Sequence, residues 1–286
     1  HLNILKTLAN QYHDALATEM LSMTRLTLHR HYILNNFSRT STIILQGGCA
    51  SRLAKAACDC GSQPSRSARA SAWRWWALAD AVVANTHAGR AFAQRVFGLP
   101  STRTHVVWNG IDLHKVDNLL PNSEQKAALR RELFGDDAVK VVVVVGTIRR
   151  SKDHMLALRV CKTLSMEDAG WRFLFVGDAP AGFGHYQSKA ASEEAAYKQE
   201  VFDFVTQRGL SEVVCFAGKR NDAIRLIASA DVLLSTSVHE GFPNVVLEAM
   251  AAGTPVVSTA YSDIERILPE RWQIAPQRDP QQLAQR

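Results

Sequence analysis

The segment STSVHEGFPNVVLEAMAAGTPVVST, residues 235–259, carries the clearest structural pattern of the chain. It begins at the end of one apolar run, continues through a loop and a helical stretch, and closes on a second apolar run. We predict the helix from about Pro243 to Ala252, because proline suits a first helical turn and Gly253 suits the residue after a helix. Strand, helix and strand at such short spacing are typical of a parallel sheet.

The same alternation extends upstream from this segment. Apolar runs predict strands that are buried on both faces, at 139–146, 171–178, 213–218, 231–237 and 254–259. Helical patterns between the runs predict further helices, at about 153–166, 187–208 and 221–230. This order of elements predicts an α/β domain whose parallel sheet is wound on both faces.

The first part of the chain has a less regular pattern. Helices are predicted at 2–30, at 67–80 and near 87–97, and strands at 41–48, 80–86 and 104–110. These strands are too few for a complete doubly wound domain. The boundary region is 113–124, where NGID gives way to the polar KVDN and then to PNSEQ, which predicts a helix start. We therefore predict two domains, residues 1–118 and 119–286.

The composition excludes several classes of protein. With 286 residues, 47% of them apolar and 21% charged, the chain resembles globular proteins and not disordered or fibrous ones. Its apolar runs are short, such as the five valines at 141–145, whereas a membrane-spanning helix needs ~20 residues. No signal-peptide pattern follows His1, so we expect a fragment or a processed chain.

The net charge of +6 is unevenly distributed. Residues 1–118 hold 13 Lys and Arg against 6 Asp and Glu, whereas residues 119–286 hold 20 against 21. Such a basic region attracts nucleic acid, an anionic membrane or a phosphorylated substrate, and charge alone does not separate the three. The five cysteines are odd in number and scattered, which argues against a disulfide framework. Cys49, Cys58 and Cys60 lack paired CxxC spacing, so no metal site is expected there.

The loop and helix start at 240–248 carry the groups that point to chemistry. Gly241 lets the backbone approach a ligand closely, and the free N–H groups at the start of the helix form a site for an anion. Glu240 lies in the loop and Glu248 lies about one turn into the helix, with seven residues between them. Both carboxylates are therefore expected near the anion site. The alternative interpretation is a buried structural unit with two carboxylates at its rim.

This segment resembles the carboxyl-terminal domain of retaining glycosyltransferases of the GT-B fold, the family 4 type also called group 1. The Glu-x7-Glu signature of that family matches Glu240 and Glu248, with Gly-Phe-Pro-Asn between them. ADAVVANT at 79–86, VVWNGID at 106–112 and ADVLLSTS at 230–237 are similar to other segments of the family and occur in the same order. The resemblance implies two Rossmann-like, doubly wound domains facing a cleft, here with the first domain incomplete.

The resemblance also implies a function. The protein would transfer a sugar from a nucleoside diphosphate sugar to a saccharide or lipid-linked acceptor, in surface polysaccharide or glycoconjugate biosynthesis. Glu240 and Lys152 are the implied catalytic residues, with Glu240 facing the donor sugar and Lys152 holding the diphosphate. Glu248 would accept hydrogen bonds from the ribose hydroxyls. No metal or other cofactor is implied, because a basic side chain and a helix start stabilise the leaving diphosphate.

Further donor-binding residues are implied on three loops. They are Gly241, Phe242, Pro243, Asn244 and Val245 at the helix start, Gly146 and Arg149 in GTIRRSKDH at 146–154, and Arg220 in GKRND at 218–222. The segment at 146–154 departs from the family pattern, because Thr147 occupies the position of the usual Arg. Either Arg149 or Arg150 would then supply the missing charge.

A Trp-rich helical segment, ARASAWRWWALAD at 68–80, leaves two interpretations open. Arginine beside tryptophan suits a lipid headgroup boundary, whereas a helix that buries its tryptophans against a sheet is the simpler explanation. Many members of the family act on lipid-linked acceptors. We therefore expect a cytoplasmic protein, with peripheral contact at the inner face of the membrane as one option.

Three other functions stay open at the level of the sequence. An epimerase or an inverting transferase shares the fold, although Glu248 argues against both. A non-catalytic remnant would bind nucleotide without transferring sugar, and Thr147 together with the incomplete first domain favours it. Nucleic acid is not an expected partner, because the basic part shows no recognised binding motif.

Overall fold

The computed structural model describes residues 31–35, 42–46, 81–178 and 189–286. Backbone contacts divide the chain into two units, residues 1–110 and 111–286. The domain boundary predicted after residue 118 thus falls a few residues inside the second unit. The helices predicted at 2–30 and 67–80, with the Trp-rich segment and Cys49, Cys58 and Cys60, lie outside the described residues.

The described part of the first unit is a four-stranded sheet with one helix. Its elements are β1 (His31–Asn35), β2 (Thr42–Gln46), β3 (Ala81–Ala84), α1 (His87–Phe97) and β4 (Thr104–Val106), and the strand order is β2-β1-β3-β4. β1 runs antiparallel to β2, and β3 runs parallel to both β1 and β4. The sheet is therefore mixed and not purely parallel as predicted, because only six residues separate β1 from β2 and a parallel crossover needs about a dozen. β1 itself was not predicted.

The second unit contains a six-stranded parallel sheet with the order β10-β9-β8-β5-β6-β7. Its strands are β5 (Lys140–Val145), β6 (Trp171–Val176), β7 (Val214–Gly218), β8 (Val232–Ser235), β9 (Val256–Thr259) and β10 (Ile274–Ala275). The first five lie within two residues of the predicted strands at each end. This agreement confirms the α/β class and the parallel sheet for the second unit.

Helices cover both faces of this sheet. They are α2 (Leu113–Asp117), α3 (Ser123–Phe134), α4 (His154–Glu167), α5 (Lys189–Gln207), α6 (Ala223–Ala228), α7 (Asn244–Ala251), α8 (Ile264–Ile267) and α9 (Pro280–Ala284). The start of α3 was predicted from PNSEQ, and a capping box between Asn122 and Gln125 fixes it. α6 is shorter than predicted, because the chain at 221–222 turns before the helix begins.

The continuous valine run of β5 is explained by a core on each face of the sheet. Val142 and Val144 pack with residues of α4 and α5 in one core, whereas Val141 and Val143 pack with residues of α6, α7 and α8 in the other. A strand alternates its side chains between the two faces, so a strand with two apolar faces needs apolar residues at every position. The carboxyl ends of β5 and β8, which are neighbours, therefore emerge at one edge of a sheet that is buried on both sides.

Candidate functional site

Two glycines allow the loops after β5 and β6 to approach each other closely. Gly146 follows β5 with a φ of +156°, and Gly177 follows β6 with a φ of +135°. A Cβ atom on Gly177 would lie 2.1 Å from the carbonyl oxygen of Gly146, which no side chain tolerates. A Cβ atom on Gly146 would lie 3.2 Å from Cε of Lys152. Glycine at 177 therefore lets the two loops approach each other, and glycine at 146 lets the lysine side chain lie directly against the backbone of the β5 loop.

The two predicted catalytic residues meet at this edge of the sheet. Lys152 ends a single 3-10 turn, Arg150–Lys152, that precedes α4, and its Nζ forms an ion pair with Oε1 of Glu240 from the loop after β8. The hydroxyl of Ser237 donates a hydrogen bond of 2.7 Å to the same carboxylate oxygen. The side chains of Lys152 and Glu240 are only 23% and 10% exposed. Two motifs separated by 88 residues of sequence thus form one largely dehydrated charge pair.

Hydrogen bonds to backbone carbonyls hold the loop after β8 against the segment that precedes α4. The N–H of Val238 donates to the carbonyl of Ser151 at 2.8 Å. The hydroxyl of Thr236 lies 2.9 Å from the carbonyl oxygen of Lys152 and 3.0 Å from that of Asp153. The hydroxyl of Thr259, on β9, donates to the carbonyl of Ser237 at 2.9 Å. The position of the charge pair is therefore set by the neighbouring strands and not by the two charged side chains alone.

Helix α7 begins beside this pair. It starts at Asn244, one residue later than predicted, because Pro243 takes the N-cap position instead of the first helical position. The cap has no side-chain hydrogen bond within the described part of the chain. Phe242 is only 3% exposed and packs into the core, so its side chain is not available to a ligand. The N–H of Asn244 donates to the carbonyl of Phe242 at 3.0 Å, and the N–H of Val246 donates to the carbonyl of Pro243 at 3.0 Å. The start of α7 therefore offers an anion the positive end of a helix dipole and not a row of free N–H groups.

Glu248 lies on α7 in a half-buried position. Burial raises the pKa of its carboxyl group, and the ammonium group of Lys115 on α2 opposes that shift. Among the described residues, no side chain or backbone group donates a hydrogen bond to it. A carboxylate that is partly dehydrated without hydrogen-bond donors is expensive, and hydroxyl groups of a ligand would offset that cost.

The arginines that the sequence left open are placed differently by the structure. Arg150 forms an ion pair with Glu200 at 2.7 Å and lies over the ring of Tyr197 on α5. Arg149 is half-buried, and its fully buried Nε has no hydrogen-bond partner among the described residues. Arg149 is thus the arginine that retains an unmet hydrogen-bond donor at this edge of the sheet.

Arg220 follows β7 and is held by a neighbour in sequence. Its guanidinium donates two hydrogen bonds to Asp222, at 2.8 and 2.7 Å. This bidentate contact raises the pKa of Arg220 and lowers that of Asp222. The loop it belongs to is tied to the β6 loop, because the N–H of Gly177 donates to the carbonyl of Gly218 at 2.8 Å.

Sequence reasoning missed three groups at this site. Asp153 is the N-cap of α4 and adopts a left-handed conformation with a φ of +47°. His154 is buried beside it, and desolvation together with the charge of Lys152 lowers the pKa of its imidazole to about 4. Arg278 reaches the same region from the segment between β10 and α9. The Asp before a predicted helix was a usable signal for the cap, but no sequence pattern marked Arg278.

The described residues contain neither a cluster of metal ligands nor a helix that could span a membrane. No group of three or more His, Cys, Asp or Glu side chains in this part of the chain is arranged to hold a metal ion. No helix there is both long enough and apolar enough to cross a membrane.

Comparison with known proteins identifies the family. Residues 139–286 match the family model of glycosyl transferases group 1, and residues 56–115 match the model of glycosyltransferase family 4. The D-inositol 3-phosphate glycosyltransferase of Corynebacterium urealyticum is 29% identical over 67% of this chain and 43% of its own length. The lipopolysaccharide core biosynthesis mannosyltransferase LpsB of Rhizobium meliloti is 28% identical over 65% and 47%. The chain thus spans less than half the length of both relatives.

A similar solved structure supports the same assignment. The Anabaena protein HepE, in complex with UDP-glucose, is 25% identical with a TM-score of 0.64, over 77% of this chain and 57% of that one. The similarity in fold agrees with the GT-B architecture that the Glu-x7-Glu segment implied. Because the group 1 model matches more than half of the residues, the chain belongs to the group 1 glycosyl transferases of family 4.

Proposed function

We propose that this chain carries the donor-binding part of a retaining glycosyltransferase. The enzyme would transfer a sugar from a nucleoside diphosphate sugar to a saccharide or lipid-linked acceptor, in surface polysaccharide or glycoconjugate biosynthesis. The observation that carries the proposal is the ion pair between Lys152 and Glu240 beside the uncapped start of α7. It brings a cation, a carboxylate and the positive end of a helix dipole to the carboxyl edge of a parallel sheet, where ligands of such folds bind.

The diphosphate of the donor would be held by positive groups. Lys152 supplies a full charge, and the start of α7 supplies the partial positive charge of a helix dipole. Arg149 is proposed to contribute positive charge, in place of the arginine that Thr147 replaces. Bond cleavage leaves more negative charge on the diphosphate, so these groups would stabilise the transition state more than the bound donor.

The nucleoside would lie toward the far end of α7 and the β7 loop. Glu248 is proposed to accept hydrogen bonds from the ribose hydroxyls, because its carboxylate is partly dehydrated and lacks donors of its own in the described structure. The backbone around Gly218 and the guanidinium of Arg220 would face the base. HepE binds UDP and UDP-glucose, which makes UDP the first nucleotide to test on this chain.

Glu240 is proposed to face the donor sugar. As the diphosphate leaves, the anomeric carbon gains positive character, and a carboxylate beside it lowers the energy of that state. Lys152 and Glu240 neutralise each other before a donor binds. A donor would then place its negative diphosphate beside Lys152 and its developing positive charge beside Glu240, so both charges gain a new partner.

The acceptor and the cellular location remain predictions from sequence. An acceptor would bind on the side of the first unit, and the Trp-rich segment at 68–80 would contact a membrane surface or pack in the core. A cytoplasmic location, with contact at the inner face of the membrane, is proposed from the lipid-linked acceptors of the family.

The direct test is calorimetric titration of the chain with UDP, followed by incubation with UDP-glucose and measurement of released UDP. We expect UDP to bind, and Lys152→Ala to weaken that binding. Conversion of a donor with retention of the anomeric configuration would distinguish the proposal from an inverting transferase or an epimerase. Absence of UDP binding in a folded wild-type chain would contradict a uridine-type donor site, and other nucleoside diphosphates would then be titrated.

One observation favours a second candidate function. Thr147 stands where the family has an arginine, so the chain could bind nucleotide without transferring sugar. UDP binding combined with no donor hydrolysis and no transfer, in a protein with a complete first domain, would support this remnant. Restoring the charge with Thr147→Arg should then raise hydrolysis above that of the wild type.

A further inference from the structure

Arg278 contacts both loops of the proposed donor site from a distant part of the chain. Its Nη1 donates to the carbonyl of Ser237 at 2.9 Å, and its Nη2 donates to the carbonyl of Thr236 at 2.8 Å. The same Nη2 forms an ion pair with Oδ2 of Asp153 at 2.5 Å. These contacts span 41 to 125 residues of sequence, so the guanidinium acts as a bridge between separate segments.

Two of the three partners of Arg278 adjoin or contact a residue that the proposed function uses. Asp153 directly follows Lys152 in the chain. Ser237 donates its hydroxyl hydrogen bond to the carboxylate of Glu240. A shift of either partner would therefore move one member of the Lys152–Glu240 pair.

We propose that Arg278 is a positioning residue, which fixes the Lys152–Glu240 pair in the geometry that binds the donor diphosphate. The inference rests on the proposed function of that pair. Arg278 acts through Asp153 and Ser237 and does not itself touch the donor.

The chemistry of the contacts explains why an arginine is needed. A planar guanidinium presents fixed donors on two terminal nitrogens, which reach three acceptors here, whereas a lysine offers a single nitrogen. Asp153 also adopts a left-handed conformation that costs a non-glycine residue free energy. Its ion pair with Arg278, together with the hydrogen bond from the N–H of Leu156 to its Oδ1, offsets that cost.

The chain offers a matched control at the opposite edge of the same sheet. Arg130 donates to the carbonyls of Ser229 and Val139 at 3.0 and 2.8 Å, and it forms an ion pair with Asp231 at 3.0 Å. It thus has two carbonyl partners and one carboxylate, as Arg278 has. Its partners precede β5 and β8, whereas those of Arg278 follow β8 and precede α4. Loss of either arginine should therefore cost similar stability, and only one loss should affect the donor site.

The first measurement compares UDP affinity in Arg278→Gln, Arg278→Lys and Arg130→Gln by calorimetry. We expect Arg278→Gln to weaken UDP binding by ~10-fold, since this factor corresponds to about 1.4 kcal/mol, on the order of one hydrogen bond to a charged group. Arg278→Lys should fall between Arg278→Gln and the wild type, and it replaces Arg278→Gln if that variant does not fold. Arg130→Gln should bind UDP as the wild type does. An equal loss of affinity in the variants at both positions, or no loss in either, would overturn the positioning role.

The second measurement needs no nucleotide. Acetylation with an activated ester, followed by mass spectrometry, reports how firmly Lys152 is held, with the half-exposed Lys162 of α4 as the internal reference. We expect the ratio of Lys152 to Lys162 acetylation to rise several-fold in Arg278→Gln and to stay unchanged in Arg130→Gln. An unchanged ratio in Arg278→Gln would refute the inference. A wild-type chain that fails to bind UDP would instead count against the proposed donor, and the acetylation ratio would still decide the role of Arg278.

Discussion

Replacing Glu248 by glutamine should weaken nucleotide binding and stabilise the fold at the same time. The carboxylate is half-buried, its pKa is raised by desolvation, and Lys115 offsets only part of that effect. The charged form of this carboxylate is therefore less stable in the folded chain than in the unfolded chain, where water solvates it fully. Glutamine has nearly the same shape but no charge, so it removes the desolvation cost and keeps one acceptor oxygen.

The expected loss of affinity follows from the hydrogen bonds that the carboxylate would accept. A hydrogen bond to a charged group contributes about 1.5–3 kcal/mol, and about 1.4 kcal/mol corresponds to a factor of ten in affinity. Loss of the charged acceptor should therefore weaken UDP binding by ~10–100-fold. Glu124→Gln is the matched control, because it makes the same chemical change at an exposed position on α3. It should leave UDP affinity unchanged and should not raise the melting temperature.

The stability effect should also depend on pH in a defined direction. Because the pKa of Glu248 is raised in the fold, the folded state binds its proton more tightly than the unfolded state does. The carboxylate thus costs no stability at low pH, where it is protonated in both states, and costs stability once pH exceeds the folded pKa. The gain in melting temperature for Glu248→Gln should consequently be larger at about pH 8 than at about pH 5.

Two results would refute this reasoning. If Glu248→Gln folded normally and bound UDP with wild-type affinity, the ribose-binding role would be wrong. If the variant melted below the wild type at neutral pH, the carboxylate would be a stabilising group with partners in the fold, and burial would not be its dominant electrostatic effect.

Three further predictions concern the same edge of the sheet. Lys152→Ala should weaken UDP binding and lower turnover, whereas Glu240→Gln should lower turnover at saturating donor with little change in UDP affinity, as calorimetry and steady-state rates would show. Gly177→Ala should lower the melting temperature far more than Gly209→Ala, because its Cβ would collide with the β5 loop at 2.1 Å, whereas the Cβ at Gly209 meets no atom within 4 Å. The pKa of His154 is lowered to about 4 in the fold, so the unfolded chain takes up this proton more readily and the free energy of unfolding should fall as pH drops from 6.5 toward 4. Denaturant titrations should show a smaller decrease of that free energy in His154→Phe.

The sheet of the second unit was predictable because its strands are buried on both faces. A run such as 141–145 can only be explained by two apolar faces, and Gly146 and Gly177 mark where the strands end. The short β10 escaped prediction, since two residues carry no periodic pattern. In the first unit, the antiparallel pairing of β1 with β2 depends on a short connection and not on the composition of either strand.

Single residues of the candidate site could be predicted from the sequence, but the contacts between them could not. Lys152 and Glu240 could be singled out because each follows a strand, and the parallel order of β5 and β8 then brings them to one edge. The direct ion pair between them depends on loop conformation at the level of single side chains. The contacts of Arg278 could not be predicted from the sequence. They depend on the path of the chain after β10, and two of the acceptors are backbone carbonyls, which any residue provides.

The Lys152–Glu240 pair changes how single substitutions at the site should be interpreted. Replacing exposed side chains away from the core usually changes stability by ~0.5 kcal/mol or less. In the structure Lys152 and Glu240 are largely dehydrated partners, so removal of either one leaves the other as an uncompensated charge. Both single variants should therefore lose stability, and a variant without both charges should recover part of it. A fall in activity in either single variant becomes evidence for a direct role only after comparison with the double variant, in which the structural cost of the orphaned charge is absent.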